Sequence, residues 1–542
     1  KITDIRVATI RAQGIHPILR IETNQGVYGL GEVRDGAHPD TAMRLKPLLI
    51  GQNPCNVEYL FRRIKRYGGE SREAGGVCAI EIALMDLVGK VYGVPCYQLL
   101  GGKFRDKVRI YGDTPSPADP TPEAFAEVVR SRRELGLNFI KFDLSARMFE
   151  AVPGAMVGSN TRHEYPQYRQ FHTPGRGAGA RISERGLELV RDICRAVREE
   201  VGPGVSLCTD HFGEGFVTVD EAIRVGHAVE PFNLAWVEDV LPWTDIAGHK
   251  RVAEALLTPV AAGEDLYLFE GFREAIETRA FDIIHPDMLS SGGLTETKKI
   301  ADHAERHGIP TALHACCSPV AFMANLHLGA ALASLMAVEH HALDVPWWTD
   351  IVTGIAPDYL ADGYVSVPEA PGLGIDLNED VIREHLVDWS GYFEPSDQWN
   401  AERVGFLARL ARHLAQRQRD VAQRRHVRVE VEGLEHHADA LARMVDVGAR
   451  IQQVDPVDRH AARGGFLEAV EAAQQRRLAR AGRADDEHQL ALFEHEVDAL
   501  QDMQGAEMLV DPSRFDNWHI SRTSGCAVSG RSPACPGRRS PA

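Results

Sequence analysis

Three short apolar runs, spaced at regular intervals, each end in an acidic residue. The acids are Asp210, Glu238 and Glu264, which lie 28 and 26 residues apart. An apolar run that ends in a charge is typical of a buried parallel strand, and each interval has room for one strand, one helix and two loops. A lone acid at a strand end is often only a turn or helix-capping residue, but three in register would converge on one point. Converging carboxylates repel, and oxygen ligands suit a hard divalent ion, so the pattern predicts one Mg²⁺, ahead of Ca²⁺ or Mn²⁺.

The series of strand ends continues further along the chain. A strand-like run over residues 281–287 ends at Asp287, directly before a tight turn at 290–293. Two more runs follow at similar intervals and end at His314 and Glu339. Strands that recur in this way predict a closed parallel barrel, with these three polar groups added to the row at its carboxyl end.

Taken together, these residues resemble the signature of the enolase superfamily, in its mandelate racemase and muconate lactonising branch. The resemblance covers roughly residues 1–400. It implies an α/β fold, with an N-terminal α+β capping domain and a modified TIM (β/α) barrel. It also implies abstraction of a proton α to a carboxylate, with Mg²⁺ stabilising an ene-diolate.

The resemblance assigns roles to the residues of the row. Asp210, Glu238 and Glu264 would hold the Mg²⁺. His314, kept in one tautomer by Asp287, would supply a base or an acid. Glu339, if protonated, would donate a hydrogen bond to the substrate carboxylate. The predicted catalytic residues of the row are therefore His314, Asp287 and Glu339, and the three acids are the predicted metal ligands.

Composition narrows the class of protein. The chain has 542 residues, 44% of them hydrophobic and 25% charged, which favours a globular protein of two or three domains. A formal charge of -17 argues against nucleic-acid and membrane partners. No run of about 18 apolar residues occurs and the start lacks a secretory pattern, so a cytoplasmic location is expected. Nine cysteines without CxxC spacing indicate reduced thiols.

The chain divides into three parts by pattern. Residues 1–107 alternate like strands and a hairpin before a helical stretch at 77–89, and form the capping domain, completed by about 370–400. Residues 108–369 contain the barrel. Residues 402–542 are rich in Arg at first and in Ser, Gly and Pro towards the end. They are interpreted as an extension of unknown origin that is either disordered or not native to the fold.

The predicted second barrel strand departs from the family. Many relatives carry Lys-x-Lys there, with the second lysine as a base, whereas this chain has Lys141 and then Asp143. Alternate residues of a strand share a face, so Lys141 and Asp143 could form an ion pair inside the barrel. A racemising lysine is therefore missing, and Lys141 would neutralise or orient the substrate.

A long polar segment over residues 145–181 follows that strand. Long loops in compact domains are usually functional or disordered, and this one would leave the carboxyl end of a strand, above the barrel mouth. Arg147, Tyr165 and His172 are therefore candidates for substrate binding, together with Asp143 on the preceding strand. A solvated loop without a role in binding is the alternative for each loop residue.

Two further candidates lie beside the row of strand ends. His211 follows Asp210 directly, whereas several acid-sugar dehydratases place a histidine two residues after this aspartate, where this chain has Phe212. His211 is either an active-site group or a histidine packed between barrel and helix. Trp348 belongs to an aromatic cluster after the eighth strand and is a candidate substrate contact.

Among the reactions that the resemblance to this superfamily implies, dehydration of a sugar acid to a 2-keto-3-deoxy acid is favoured, because a histidine acid is available and the racemising lysine is absent. A racemase, epimerase or cycloisomerase of the same superfamily is the alternative. An inactive barrel with a binding or regulatory role is a third possibility. The expected partners are a small-molecule sugar acid and further copies of the chain in a homo-oligomer.

Overall fold

A computed structural model describes residues 1–145, 152–157, 181–210 and 218–394 of the chain. The predictions for Arg147, Tyr165, His172, His211 and the extension 402–542 therefore lie outside the described residues.

The strands, in chain order, are β1 Ile2–Arg11, β2 Ile15–Thr23, β3 Gly29–Glu32, β4 Lys107–Gly112, β5 Phe139–Asp143, β6 Met156–Val157, β7 Arg181–Ile182, β8 Ser206–Asp210, β9 Val237–Glu238, β10 Val260–Ala262, β11 Ile283–Ile284, β12 Thr311–Leu313, β13 Leu335–His340, β14 Val352–Thr353, β15 Leu360–Ala361, β16 Tyr364–Ser366 and β17 Asp376–Leu377. The α-helices are Asp40–Met43, Lys46–Leu49, Val57–Ile64, Gly75–Tyr92, Cys96–Leu99, Pro122–Glu134, Glu184–Val201, Val219–Val229, Ile246–Ala255, Leu268–Thr278, Met288–Ser291, Gly293–Arg306, Pro319–Ala331 and Glu379–Glu384. Short 3₁₀ turns occur at Lys65–Tyr67, Ser71–Ala74, Glu230–Phe232 and Trp348–Ile351.

The N-terminal part is an antiparallel sheet, in the order β1-β2-β3, packed against the helix Gly75–Tyr92. The helix lies very close to β3, since a Cβ added to Gly31 would lie only 2.0 Å from the carbonyl oxygen of Ala79. Only glycine leaves room for a helix backbone at that distance. The predicted strands, hairpin and helix of the capping domain are confirmed.

Eight parallel strands close into a barrel in the order β4-β5-β8-β9-β10-β11-β12-β13, and β13 pairs again with β4. A helix lies in each connection between successive barrel strands. Several of these helices begin at a side chain that accepts a backbone N–H from the first turn, as at Thr121, Ser183, Thr218 and Asp245. The predicted barrel is confirmed.

The barrel interior is filled by one buried side chain from each strand, except that Trp236 lies directly before β9. The set is Tyr111, Phe139, Cys208, Trp236, Ala261, Ile283, Ala312 and Ala337. The three aromatic groups come from one half of the barrel and the three alanines from the other, so large and small side chains pack together in one layer. This apolar layer forms the floor beneath the polar groups described below.

Two buried carboxylates of the N-terminal part cap helices of the barrel. Glu32 accepts hydrogen bonds from the backbone N–H groups of Ser318 and Ala321, at the start of the helix Pro319–Ala331. Glu81 accepts from the N–H groups of Leu294 and Thr295, at the start of the helix Gly293–Arg306. Negative charge at a helix N-terminus is favourable, so these contacts fix the capping domain on the barrel.

The chain returns to the capping sheet after the barrel. Residue Val387 donates its N–H to the carbonyl oxygen of Thr9 on β1, and Arg11 donates to the carbonyl oxygen of His385. The C-terminal residues of the described part therefore run beside β1. No helix within the described ranges is both long and apolar enough to cross a membrane.

Candidate active site

A layer of polar side chains lies directly above the apolar floor, because alternate residues of a strand share a face. Two residues after seven of the eight floor residues come buried polar groups: Asp113, Lys141, Asp210, Glu238, His285, His314 and Glu339. The pattern brings together groups from strands that are far apart in sequence. It includes Asp113 and His285, which the sequence analysis missed and which the same two-residue step would have identified.

Glu264 joins this group through a backbone irregularity. The position two residues after Ala261 is Gly263, whose φ is +127°, a conformation that favours glycine. This turn presents the following residue, Glu264, to the barrel mouth instead. Asp239, directly after Glu238, also has a positive φ of 47°. Unusual backbone conformations of this kind are commonly retained at functional sites.

Carboxylates crowd this part of the mouth. Burial and the neighbouring charges of Glu264, Asp210 and Glu238 together raise the pKa of Asp239 well above its usual range. Asp265 also contributes to this shift, and it is buried at 1% exposure. Asp239 and Asp265 were missed by the sequence analysis, although each directly follows a predicted metal ligand.

Lys141 lies among these carboxylates. Its Nζ is 2.7 Å from Asp210 Oδ2, 2.6 Å from Glu339 Oε1 and 3.5 Å from Glu238 Oε1. Burial by itself lowers the pKa of Lys141, but these carboxylates raise it well above the usual value. The residue is therefore a fixed cation.

The ion pair predicted between Lys141 and Asp143 is not found in the described structure. Asp143 accepts a hydrogen bond from Ser116 Oγ at 2.7 Å, at the rim of the barrel. The deeper acids are nearer to the lysine and more completely buried, so they attract its ammonium group more strongly.

The predicted contact between His314 and Asp287 is formed, with His314 Nδ1 2.7 Å from Asp287 Oδ2. The other ring nitrogen, Nε2, is 2.9 Å from Glu264 Oε2. Asp287 is itself held, because its Oδ1 accepts the N–H of Leu289. Burial lowers the pKa of His314, but Glu264 and Glu339 raise it to about 9 overall.

The capping domain contributes a buried cation that the sequence analysis missed. Arg34, 1% exposed, forms an ion pair with Asp287, and its Nη2 lies 3.3 Å from Glu264 Oε1. Nη1 is also 2.9 Å from His314 Nδ1, so the arginine and the imidazole share one aspartate. Its position just after β3 carries no chemical motif, so only the docking of the two domains reveals it.

Glu339 accepts the backbone N–H of Ala315 at Oε2 and lies near Lys141 at Oε1. Burial raises the pKa of Glu339, but Lys141 and His314 lower it well below its usual range. These neighbours favour the ionised carboxylate, and the role of Glu339 as a protonated hydrogen-bond donor to the substrate stays a prediction.

Asp113, Glu339 and His341 form a group whose oxygen and nitrogen ligand atoms all lie within 4.8 Å of one another, a spacing that a metal ion can bridge. The predicted ligands Asp210, Glu238 and Glu264 lie at the ends of three neighbouring strands, where the described cations are Lys141, Arg34 and His314. The oxygen atoms of the three predicted ligands suit Mg²⁺, because a dense cluster of buried carboxylates needs positive charge. The Oε1 atom of Glu238 also lacks a hydrogen bond within the described part of the chain.

Trp348, a predicted substrate contact, is 2% exposed. Its ring packs on His340 and Phe322, and its Nε1 donates to the carbonyl oxygen of Cys317 at 3.3 Å. In this structure the indole is a buried packing group, and its contact with a substrate stays a prediction.

A closed parallel barrel that carries acids, a histidine–aspartate pair and a lysine at its carboxyl end places this chain in the class of (β/α) barrel enzymes. The family models that match the chain agree. Residues 4–101 match the mandelate racemase / muconate lactonizing enzyme N-terminal domain, and residues 125–381 match the enolase C-terminal domain-like model.

Relatives of known name support this membership. The chain is 35% identical over 405 residues to a D-xylonate dehydratase from Haloferax volcanii, covering 73% of this chain and 91% of that protein. It is 28% identical to a D-mannonate dehydratase from Caulobacter vibrioides, covering 71% and 94% of the two chains. A mandelate racemase/muconate lactonizing enzyme-like structure from Rubrobacter xylanophilus is 32% identical, with a TM-score of 0.63, covering 73% and 99%.

The chain therefore belongs to the mandelate racemase and muconate lactonizing enzyme family of the enolase superfamily. The named relatives are dehydratases, which agrees with an enzyme of the carbon–oxygen lyase class.

Proposed function

We propose that this protein is a Mg²⁺-dependent lyase that dehydrates a sugar acid to a 2-keto-3-deoxy acid. The observation that carries the proposal is the contact of His314 with Asp287 on one side and Glu264 on the other. A proton-transfer group is thereby placed beside the carboxylate cluster that would face an acidic substrate. The names of the relatives favour sugar acids as the substrate class.

Asp210, Glu238 and Glu264 would hold the metal ion. When bound, Mg²⁺ supplies a positive charge that binds the substrate carboxylate and stabilises the negative charge that develops on it. The rest of the chemistry falls to the side chains. Lys141 and Arg34 balance the charge of the surrounding acids, so an anionic substrate can enter an acidic barrel.

His314 takes the proton from the carbon next to the substrate carboxylate. Glu264 and Glu339 raise the pKa of the imidazole, so a loss of the charge on Glu264 would lower this pKa and favour the neutral, basic form. Asp287 orients the ring through Nδ1 and stabilises the charge that the ring gains. Loss of the neighbouring hydroxyl as water then gives an enol, which becomes the 2-keto acid.

The activity can be tested with D-xylonate, D-galactonate and D-mannonate in Mg²⁺. We expect at least one of these acids to give a 2-keto product, detected as its semicarbazone, and to exchange its α-proton in heavy water. His314→Asn should lose both signals, whereas His227→Gln, a change at an exposed histidine, should keep them. Exchange with return of the epimer and without 2-keto product would instead identify an epimerase.

A further inference from the structure

A second pair of imidazole and carboxylate lies at the same rim of the barrel. His341 Nε2 is 3.2 Å from Asp113 Oδ2. These residues follow β13 and β4, which are neighbours through His340 and Gly112. The pair of His314 and Asp287 follows β12 and β11. Glu339 on β13 therefore stands between two pairs of the same kind.

Both members of the second pair reach Glu339. The ligand atoms of Asp113, Glu339 and His341 all lie within 4.8 Å of one another. On the other side, His314 Nε2 is 3.6 Å from Glu339 Oε2. One carboxylate of the site is thus flanked by two imidazoles, each supported by an aspartate from the adjacent strand.

The second pair is held by a buried arginine. Arg132, 2% exposed, donates from Nε to the backbone oxygen of Asp113 at 2.6 Å. Its Nη1 donates to Asp344 Oδ1 at 2.9 Å, and Asp344 lies three residues after His341 in the same loop. Arg132 therefore ties together the two loops that carry the pair, which makes their geometry reproducible.

The second ring nitrogen of His341 lies beside a weak partner. With Nε2 facing Asp113, the Nδ1 atom is buried and has no nitrogen or oxygen partner among the described residues. The thiol of Cys316, a weak hydrogen-bonding group, is beside the imidazole. The side chain is 27% exposed overall, so part of the ring is accessible from solvent.

We propose that His341, oriented by Asp113, is a further catalytic residue: the acid that protonates the departing hydroxyl of the sugar acid. The inference rests on the proposed dehydration. It assigns the two proton transfers of that reaction to different pairs, with His314 serving the carbon next to the carboxylate and His341 serving the oxygen on the following carbon.

The assignment balances protons and electrons. His314 takes the proton from the α-carbon, and the C–H electron pair becomes the double bond between the α- and β-carbons as the β-carbon–oxygen bond breaks. The oxygen leaves with its bonding pair, takes the proton of the His341 imidazolium and departs as water. The enol gains a proton at the β-carbon and loses its hydroxyl proton to become the 2-keto acid. Solvent returns both histidines to their starting states.

Dissecting the two proton transfers tests the assignment, with the acid that the wild-type protein dehydrates as the probe. In His341→Gln, we expect product formation to fall roughly 100-fold or more, as for other positioned acids, while deuterium still enters the α-carbon of recovered substrate. Asp113→Asn should show the same separation in weaker form. Added imidazole should partly restore product formation in His341→Gly, which a structural role would not allow.

The remaining outcomes would overturn the inference. Product formation unchanged in His341→Gln, or exchange lost together with product, would exclude the acid role. A melting temperature that no longer responds to Mg²⁺ in His341→Gln would show instead that the group with Asp113 and Glu339 binds the metal. Absence of product from wild-type protein with every acid would refute the proposed function itself, and the inference with it.

Discussion

At the scale of single residues, the site depends on groups that act in pairs. The imidazole of His314 and the carboxylate of Asp287 contact each other directly, and Arg34 from the capping domain contacts both. A histidine with these contacts is held in one orientation. The function of either partner therefore depends on the other.

Substitutions in this pair should not be additive. We expect His314→Asn and Asp287→Asn each to lower kcat roughly 10²- to 10⁴-fold, since each removes a positioned proton-transfer unit. The double variant should be little worse than the more damaging single variant, because the two residues act as one unit. Steady-state kinetics of the four proteins measures this. Multiplicative losses would show that the residues work independently.

Gly263 controls where Glu264 points. An added Cβ would lie 2.8 Å from Cε1 of the buried Phe272 ring, on a backbone with a φ of +127°. Gly263→Ala should therefore lower the free energy of unfolding by about 1–3 kcal/mol, from strain and overpacking. Urea unfolding measures the loss. Gly204→Ala is the matched control, because no atom of the described residues lies within 4 Å of its Cβ, and a similar loss there would refute the explanation.

At the scale of elements, helix N-termini connect the two domains. Glu32 at the end of β3 is fully buried and satisfies two backbone N–H groups at the start of the helix Pro319–Ala331, together with the Ser318 hydroxyl. That helix follows the loop that carries His314. The capping sheet is therefore joined to a catalytic loop by one carboxylate.

Glu32→Gln should weaken this joint. An amide keeps the size of the side chain but loses the charge and replaces one acceptor oxygen by a donor. The NH₂ group of the amide would then face backbone N–H donors. We therefore expect a loss of about 1–3 kcal/mol in the free energy of unfolding. Chemical denaturation measures it, with Glu188→Gln on an exposed helix surface as the control. Equal stability of the two variants would contradict the role of Glu32.

At the scale of the whole molecule, the barrel gathers more carboxylates than cations at one end. Mg²⁺ should therefore raise the melting temperature by mass action, and a chelator should reverse the effect. Glu264→Gln removes one of the three predicted ligands and should weaken the response. Differential scanning fluorimetry over a Mg²⁺ titration measures this. The triad would be excluded if Glu264→Gln and Glu238→Gln both kept the wild-type response.

Acid should destabilise the fold through buried neutral histidines. Burial lowers the pKa of His249 and His327 to about 4 and that of His340 to about 3. The unfolded chain binds protons at these sites near pH 6.5, so stability is complete above that pH and falls as pH drops towards 4. For His249 the free energy of unfolding falls by at most about 3 kcal/mol, because each unit of pKa difference between the folded and unfolded states corresponds to about 1.36 kcal/mol.

Thermal unfolding between pH 7 and 4 tests this expectation. His249→Gln should flatten the pH dependence relative to wild type, because glutamine takes up no proton in either state. His227→Gln, whose parent side chain is 52% exposed, should leave the slope unchanged. An equal slope in wild type and His249→Gln would assign the acid sensitivity to other groups.

The sequence alone determined the periodic features of this protein. Apolar runs at regular intervals predicted the barrel, and their acidic ends predicted where Asp210, Glu238 and Glu339 lie, because strand alternation and helix length fix both. The same pattern placed His314 and Asp287 at strand ends, and the family resemblance implied their contact. Asp113 and His285 lie two residues after Tyr111 and Ile283 of the apolar floor. The same alternation could therefore have predicted that both point into the site.

Only the tertiary structure decided how charges pair across strands and domains. Lys141 contacts Asp210 and Glu339 instead of Asp143, because burial in the closed barrel strengthens the attraction of the deeper acids. Arg34 reaches Glu264 over 230 positions of sequence, through the docking of two domains. Local patterns encode the faces of strands and helices, whereas partners between distant segments depend on how the whole chain packs.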